Sequence, residues 1–212
     1  MTTHYDDEAQ VENLKRWWKE NWMALAAGLG IGLGAIFGWE MWKDHKTGQA
    51  EHASQIFEDM KKAATGDQAD ALKSTGDKLT GEFAASPYAA DAALLLASEA
   101  VEQNRLDDAL KHLQWVTANA KDEGIQRLAK LRQARVLSAQ NKPDEALKLL
   151  EGEAGDYAQL YDELRGDIKL AQGDRAAARQ AYEKALKAAG DNAGNRELLQ
   201  RKLDDLTEAV QS

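Results

Sequence analysis

Between Asn21 and Glu40 the chain runs for 18 residues, Trp22 to Trp39, without a charge. At about 1.5 Å of rise per residue such a helix reaches roughly 27 Å, close to the hydrocarbon thickness of a bilayer. Trp17, Trp18 and Trp22 stand at one end and Trp39 and Trp42 at the other, where amphipathic rings favour headgroup depth. Two other readings fit less well. A cleaved signal sequence has a shorter apolar run leading into small residues, whereas this run leads into Trp39, Glu40, Met41 and Trp42. A buried core helix would not ordinarily hold Gly28, Gly30, Gly32, Gly34 and Gly38, each costing up to about 1 kcal/mol against alanine in water. The sequence therefore predicts a retained transmembrane helix over 21–42, preceded by an acidic tail over 1–20 and followed by a separate domain over 43–212.

Basic residues near a span set its orientation. Lys15, Arg16 and Lys19 precede it, and Lys43 and Lys46 follow. Three against two favours a cytoplasmic N-terminus and a C-terminal domain on the far side. Gly28 and Gly32, Gly30 and Gly34, and Gly34 and Gly38 are each four apart, the spacing that lets two helix backbones approach closely in lipid. The glycines thus mark a candidate packing face for a membrane partner; the alternative is that glycine is simply frequent in single-span anchors.

The rest of the chain is different in kind. From Thr47 onward, 22 Lys and Arg stand against 29 Asp and Glu, a balance of −7 within a total of −9. Such a chain does not fit nucleic-acid binding, which depends on clustered cations releasing counterions. Without cysteine there is no disulfide, thiolate metal site, thiol nucleophile or lipid-modified cysteine. Ala, Leu, Lys, Glu, Gln and Arg dominate, with no sustained alternation of β-branched or aromatic residues, so the domain should be all-α.

Three stretches superpose: "ASEAVEQNRLDDALKHLQWV" from Ala97, "ARVLSAQNKPDEALKLLEGE" from Ala134 and "GDIKLAQGDRAAARQAYEKA" from Gly166. The period is 37 and then 32 residues, that of a helix-turn-helix repeat. Seven residues into each stands Asn104, Asn141 or Gly173, types that accept the left-handed conformation ending a helix. Asp107, Asp144 and Asp174 follow in or beside the next helix's first turn, where a carboxylate complements the dipole, and Pro143 suits a first helical position. Five residues past each helix end comes Ala109, Ala146 or Ala178, small enough for paired helices to meet. Leu150, Glu151 and Gly152 should end the second repeat's second helix early. Residues 49–85 should form a further, irregular hairpin, with Ser86 and Pro87 starting the next helix. Leu199, Leu203, Leu206 and Val210 on one face suit a terminal capping helix.

The stretch "RGDIKLAQGDRAAARQAYEKAL" looks like a tetratricopeptide repeat, with Gly166, Gly173, Asp174, Ala178, Tyr182, Ala185 and Leu186 at matching places; the two earlier repeats are degenerate. An acidic tail, then "ENLKRWWKENWMALAAGLGIGLGAIFGW", a short basic step and degenerate repeats together resemble the ancillary SecYEG translocon subunit family over nearly the whole chain. The resemblance implies a single-pass protein of the bacterial inner membrane with a periplasmic tetratricopeptide-like domain. Its implied partners are the SecYEG translocon, a membrane-anchored periplasmic chaperone or prolyl-isomerase-like protein, and exported polypeptides passed on to the periplasmic chaperone network.

The motifs of catalysis are absent: no HExxH, phosphate-cradling loop or G-x-S-x-G occurs. The glycines of "GLGIGLG" lie in the apolar span and follow no strand, so they are not a nucleotide loop. The histidines are at 4, 45, 52 and 112. His45 and His52, seven apart, fit a solvated pair beside the membrane better than a metal site. No enzyme, cofactor or metal is expected. What remains is a binding surface. Stacked helix pairs expose a concave face lined mainly by each pair's first helix: Leu94, Ser98 and Val101, then Leu131, Arg135 and Ser138, then Glu163, Asp167 and Leu170. The alternative is that the leucines are ordinary packing residues. The Lys and Asn by which some tetratricopeptide proteins hold a terminal carboxylate are missing at these positions. A mixed apolar and acidic face suits an extended, basic segment. Two other functions fit a tethered binding domain: an anchor whose cytoplasmic residues bind an envelope stress-response regulator, and a scaffold for an envelope enzyme complex. If the glycine face packs against a membrane partner, replacing Gly30 and Gly34 together by leucine should weaken co-purification of that partner from membranes while leaving insertion intact; unchanged capture would assign the glycines to composition alone.

Overall fold

The computed structural model describes residues 4–66, 68–190 and 193–208, with side chains for 11–43, 47–66, 68–190 and 196–206. The side chains of His4, His45 and Lys46, and all of Val210, lie outside the described residues. Regular structure among the described residues is helical throughout: α1 (His4–Thr65), α2 (Ala69–Glu82), α3 (Pro87–Glu102), α4 (Leu106–Asn119), α5 (Glu123–Ala139), α6 (Pro143–Leu149), α7 (Ala158–Ala171), α8 (Arg175–Ala188) and α9 (Ala193–Glu208), with a 3-10 turn at Gly155–Tyr157. Contacts divide the chain into two compact units, residues 1–51 and 52–212.

In the first unit, α1 carries the uncharged run, and that run exposes all its large apolar side chains, including Trp22, Leu29, Ile36 and Trp39. Among the described residues it is the helix long and apolar enough to cross a membrane. Asn21, at the edge of the run, donates its amide to the Trp17 carbonyl at 2.8 Å, which satisfies a polar group inside its own helix. A Cβ added at Gly28, Gly30, Gly32, Gly34 or Gly38 would meet nothing within 4 Å. Packing inside the described chain therefore does not account for these glycines.

In the second unit, the three superposed stretches become the hairpins α3–α4, α5–α6 and α7–α8. Their first helices end alike. Asn104 (φ 57°), Asn141 (φ 60°) and Gly173 (φ 82°) are left-handed. Around each, two hydrogen bonds close the helix: Arg105 N to Ala100 O and Asn104 N to Val101 O, Lys142 N to Leu137 O and Asn141 N to Ser138 O, Asp174 N to Lys169 O and Gly173 N to Leu170 O. This paired closure satisfies carbonyls that a helix end leaves orphaned. Asp174 then caps α8, accepting from Ala177 N at 3.0 Å. The residue before each of the last two turns also ties repeats together. Gln140 donates to Asp107 at 2.8 Å and Gln172 to Asp144 at 3.1 Å, so the end of one first helix is held to the first turn of the preceding repeat's second helix.

The short α6 has a compensating contact. Arg165 on α7 donates to the carbonyl of Leu150, the residue that ends α6, at 2.7 Å. Tyr161 reaches from α7 to the Arg127 carbonyl of α5 at 2.9 Å. At the other end of the unit, Ser86 precedes α3 in extended conformation with Pro87 at the first helical position.

Packing runs from neighbour to neighbour. Ala53, Met60 and Ala63 of α1 meet Leu72 and Leu79 of α2 and Leu96 of α3. Ala93 and Ala97 of α3 pack with Ala109 and Leu113 of α4 and Ala129 of α5. Leu131 and Ala134 of α5 pack with Ala146 of α6 and Leu164 and Ile168 of α7. Ala178 and Tyr182 of α8 pack with Leu199, Leu203 and Leu206 of α9, the expected capping face. The small residues at matching places are all buried: Ala97, Ala134 and Gly166, then Ala109, Ala146 and Ala178. Gly166 is the tightest. A Cβ there would lie 2.5 Å from Cδ1 of the Tyr182 ring, so α7 and α8 can meet over that ring only with glycine.

A polar network fastens α9 to α7. Lys202 donates to Glu163 at 2.9 Å and to Asp167 at 2.6 Å, and the Tyr182 hydroxyl donates to Asp167 at 2.8 Å. The ammonium also lies 5.4 Å from the Tyr182 ring centroid, within cation–π range. Burial opposes the charge on Lys202, but hydrogen bonds to Asp167 and Glu163 and their charges outweigh it and raise its pKa. Burial, then the hydrogen bond to and charge of Asp167, pushes Tyr182 well above the ordinary tyrosine value.

Gly166→Val should lower unfolding stability by about 1–3 kcal/mol through overpacking, and Gly173→Ala by about 1–2 kcal/mol through its left-handed backbone, read by urea titration of a fragment spanning 47–212. Tyr182 and Lys202 hold their protons more tightly folded than unfolded. Their stabilisation is complete below the ordinary values of 10.0 and 10.5 and is lost as pH rises through the raised ones. The melting temperature should therefore fall above pH 10, and fall less steeply in Tyr182→Phe.

Candidate functional site

The residues expected on a concave face do not share one surface. Ser98 and Val101 of α3 and Arg135 of α5 come together at one cleft of about 250 Å³, with Ala97, Leu106, Leu113, Arg132, Val136 and Ala139. Leu94 is half-buried against the α3–α4 core, and Ser138 is half-buried on α5. Leu131 does not belong to any exposed face: at 1% exposure it is core, packed against α6 and α7. Glu163 and Asp167 are both engaged by Lys202 of α9. Leu170 remains 38% exposed near the end of α7. The two carboxylates of the expected surface thus share one ammonium from the capping helix, with Glu163 largely covered and the Asp167 side chain still 43% exposed.

The cleft is built from successive turns. On α5, Arg132, Arg135, Val136 and Ala139 follow at spacings of three and four, one face of a helix. Ala97, Ser98 and Val101 do the same on α3. Leu106 and Leu113 of α4 close the floor. Leu113, Val136 and Ala97 are buried, whereas Val101 is 44% exposed. Arg132 was not among the expected residues, although its place three before Arg135 marks a shared face. Nothing local in the sequence marks Leu106 and Leu113 as the floor, since they enter through the α3–α4 turn.

The neighbouring hollows have another character. One of about 230 Å³ joins Asp70, Lys73, Glu99, Gln103, Arg105 and His112, so both signs of charge line it. Burial lowers the His112 pKa, opposed by the charges of Asp77 and Asp108. A second, of about 270 Å³, lies between the start of α3 and the turn into α5, where Trp115 and Ile125 meet Lys121 and Asp122. His52 is exposed. Among the described residues no three His, Asp or Glu side chains converge at metal-ligating distance.

The model of the tetratricopeptide repeat-like domain family matches residues 15–208. The ancillary SecYEG translocon subunit of Escherichia coli (strain K12) is 33% identical over 208 residues, covering 98% of this chain and 100% of that protein. The protein of the same description from Neisseria gonorrhoeae is 32% identical over 208 residues, with coverage of 97% and 100%. That from Haemophilus influenzae is 28% identical over 186 residues, with coverage of 87% and 91%. No solved structure matches. With its apolar N-terminal helix, its stacked helical hairpins and full-length relatives above 30% identity, the chain belongs to the ancillary SecYEG translocon subunit family.

Proposed function

We propose that this protein is a non-catalytic, membrane-tethered interaction protein that associates with the SecYEG translocon and helps transfer exported proteins to periplasmic chaperones. The observation that carries the reading is end-to-end similarity to relatives described as ancillary translocon subunits, spanning the apolar helix and the repeats alike. Physical features support it. The uncharged run is long enough to hold the chain in the inner membrane. Basic residues at 15, 16 and 19, against two at 43 and 46, favour a cytoplasmic N-terminus and support a periplasmic location for residues 43–212. Stacked helix pairs offer side-chain surface for polypeptide partners without a reacting centre. A membrane-anchored chaperone or prolyl-isomerase-like protein, placed beside the translocon, is the next partner in that transfer. The glycine face of α1 is the contact proposed within the lipid.

The test has two arms. Protease added to intact spheroplasts should digest residues 43–212 and leave a membrane-protected N-terminal fragment; digestion only after the membrane is opened would overturn the orientation. The full chain, purified after mild crosslinking in membranes, should bring down translocon subunits together with a periplasmic chaperone. Recovery of the chaperone without the translocon would reject the translocon role, and the converse would reject the hand-off.

A further inference from the structure

The cleft between α3, α4 and α5 carries charge of one sign. Arg132 and Arg135 line it, no acidic side chain does, and neither guanidinium has a hydrogen bond or ion pair among the described residues. Of the other arginines from 105 to 201, Arg105, Arg127, Arg165, Arg179 and Arg201 are each paired with a carboxylate three or four residues away, Arg196 donates to two carbonyls, and Arg175 stands alone among the described residues at the start of α8. Two unpaired guanidiniums side by side stand out in a unit whose overall balance is negative. Beside them are the exposed Val101, the hydroxyl of Ser98 and the apolar floor of Leu106 and Leu113.

We propose that this cleft binds a segment of a partner polypeptide that sets a carboxylate beside an aliphatic side chain. The aliphatic group fills the space over Leu106, Leu113 and Val101, and the carboxylate accepts hydrogen bonds from Arg132 and Arg135. A planar guanidinium with paired N–H donors matches a carboxylate better than any neutral group. The apolar contact supplies burial, and the arginines supply orientation and choice of partner. This reverses the expectation of a basic ligand. The carboxylates on which that expectation rested, Glu163 and Asp167, are bound by Lys202, whereas the open cleft presents cations. The commoner reading, that unpaired surface arginines are merely solvated, does not explain their placement on the rim of an apolar cleft. The inference rests on the proposed function in taking a polypeptide as the ligand.

The experiment uses the full chain in nanodiscs of uncharged phosphatidylcholine and a fluorescent octapeptide, Ser-Gly-Leu-Glu-Leu-Glu-Gly-Ser. Its controls replace both glutamates by lysine or both leucines by serine. The acidic peptide should bind about tenfold or more tighter than the lysine peptide, and the serine peptide should lose most of its binding. The Arg132→Gln, Arg135→Gln double variant should weaken the acidic peptide about tenfold at unchanged helicity and melting temperature, and Arg132→Glu, Arg135→Glu should reverse the preference. Arg135 is exposed and Arg132 half-buried, and neither belongs to a core cluster, so these variants leave the core intact. Equal binding of the acidic and lysine peptides, no saturable binding of the acidic one, or full binding by the glutamine variant would each overturn the proposal. So would displacement of the peptide by vesicles of phosphatidylglycerol, which would make the cleft a lipid site, or loss of peptide binding on self-association, which would make it a dimer contact. Translocon co-purification with the same variants separates the two proposals. A chain that captures the translocon but does not select the acidic peptide sinks this one alone, and a chain that selects the peptide but never captures the translocon sinks the other.

Discussion

A two-helix repeat of about 35 residues cannot cover its own apolar face, and the second unit of this protein is organised around that shortfall. Each hairpin leaves one side of its helices bare, and the next hairpin covers it. The cores follow in series, from α1–α3 through α3–α5 and α5–α7 to α8–α9. Such stacking works only if paired helices come close enough for side chains to interlock. Alanine or glycine at the six matching positions provides that approach, with Gly166 beneath the Tyr182 ring as the tightest instance.

The last helix carries the consequences furthest. A stack must end on a face that tolerates solvent, and α9 supplies it with Leu199, Leu203 and Leu206 inward. Apolar contact alone would let α9 slide along α8. Lys202, bound at once to Glu163, Asp167 and the Tyr182 ring, sets its register, since a half-buried ammonium has few other places where its charge is satisfied. The same contact engages two carboxylates of the expected binding surface with one ammonium. Stability at the end of the stack and the electrostatic character of the groove are therefore one matter.

The first unit answers a different solvent. Its tryptophans and leucines are exposed along α1 and its glycines touch nothing in the chain, an arrangement that is unfavourable in water and ordinary in lipid. In the proposed role, the helix locates the chain at the membrane and the hairpins provide selectivity. Neither part needs a reacting group for that.

What the sequence by itself determined were features written within one or two helical turns. The length of the uncharged run, the turns at Asn104, Asn141 and Gly173, the early end of α6, the small residues of each pair and the inward leucines of α9 were all legible, because local backbone chemistry and helical periodicity fix them over a few residues. The candidate face was legible only in part: Ser98, Val101 and Arg135 share one cleft, but Leu131 is core and Glu163 and Asp167 are taken. The reason is sequence distance. Lys202 lies 39 residues from Glu163 and 35 from Asp167, and the floor of the cleft comes from a helix across a turn. A pairing between charges so far apart leaves no periodic trace, so only the folded arrangement decides which charges meet a partner and which meet each other.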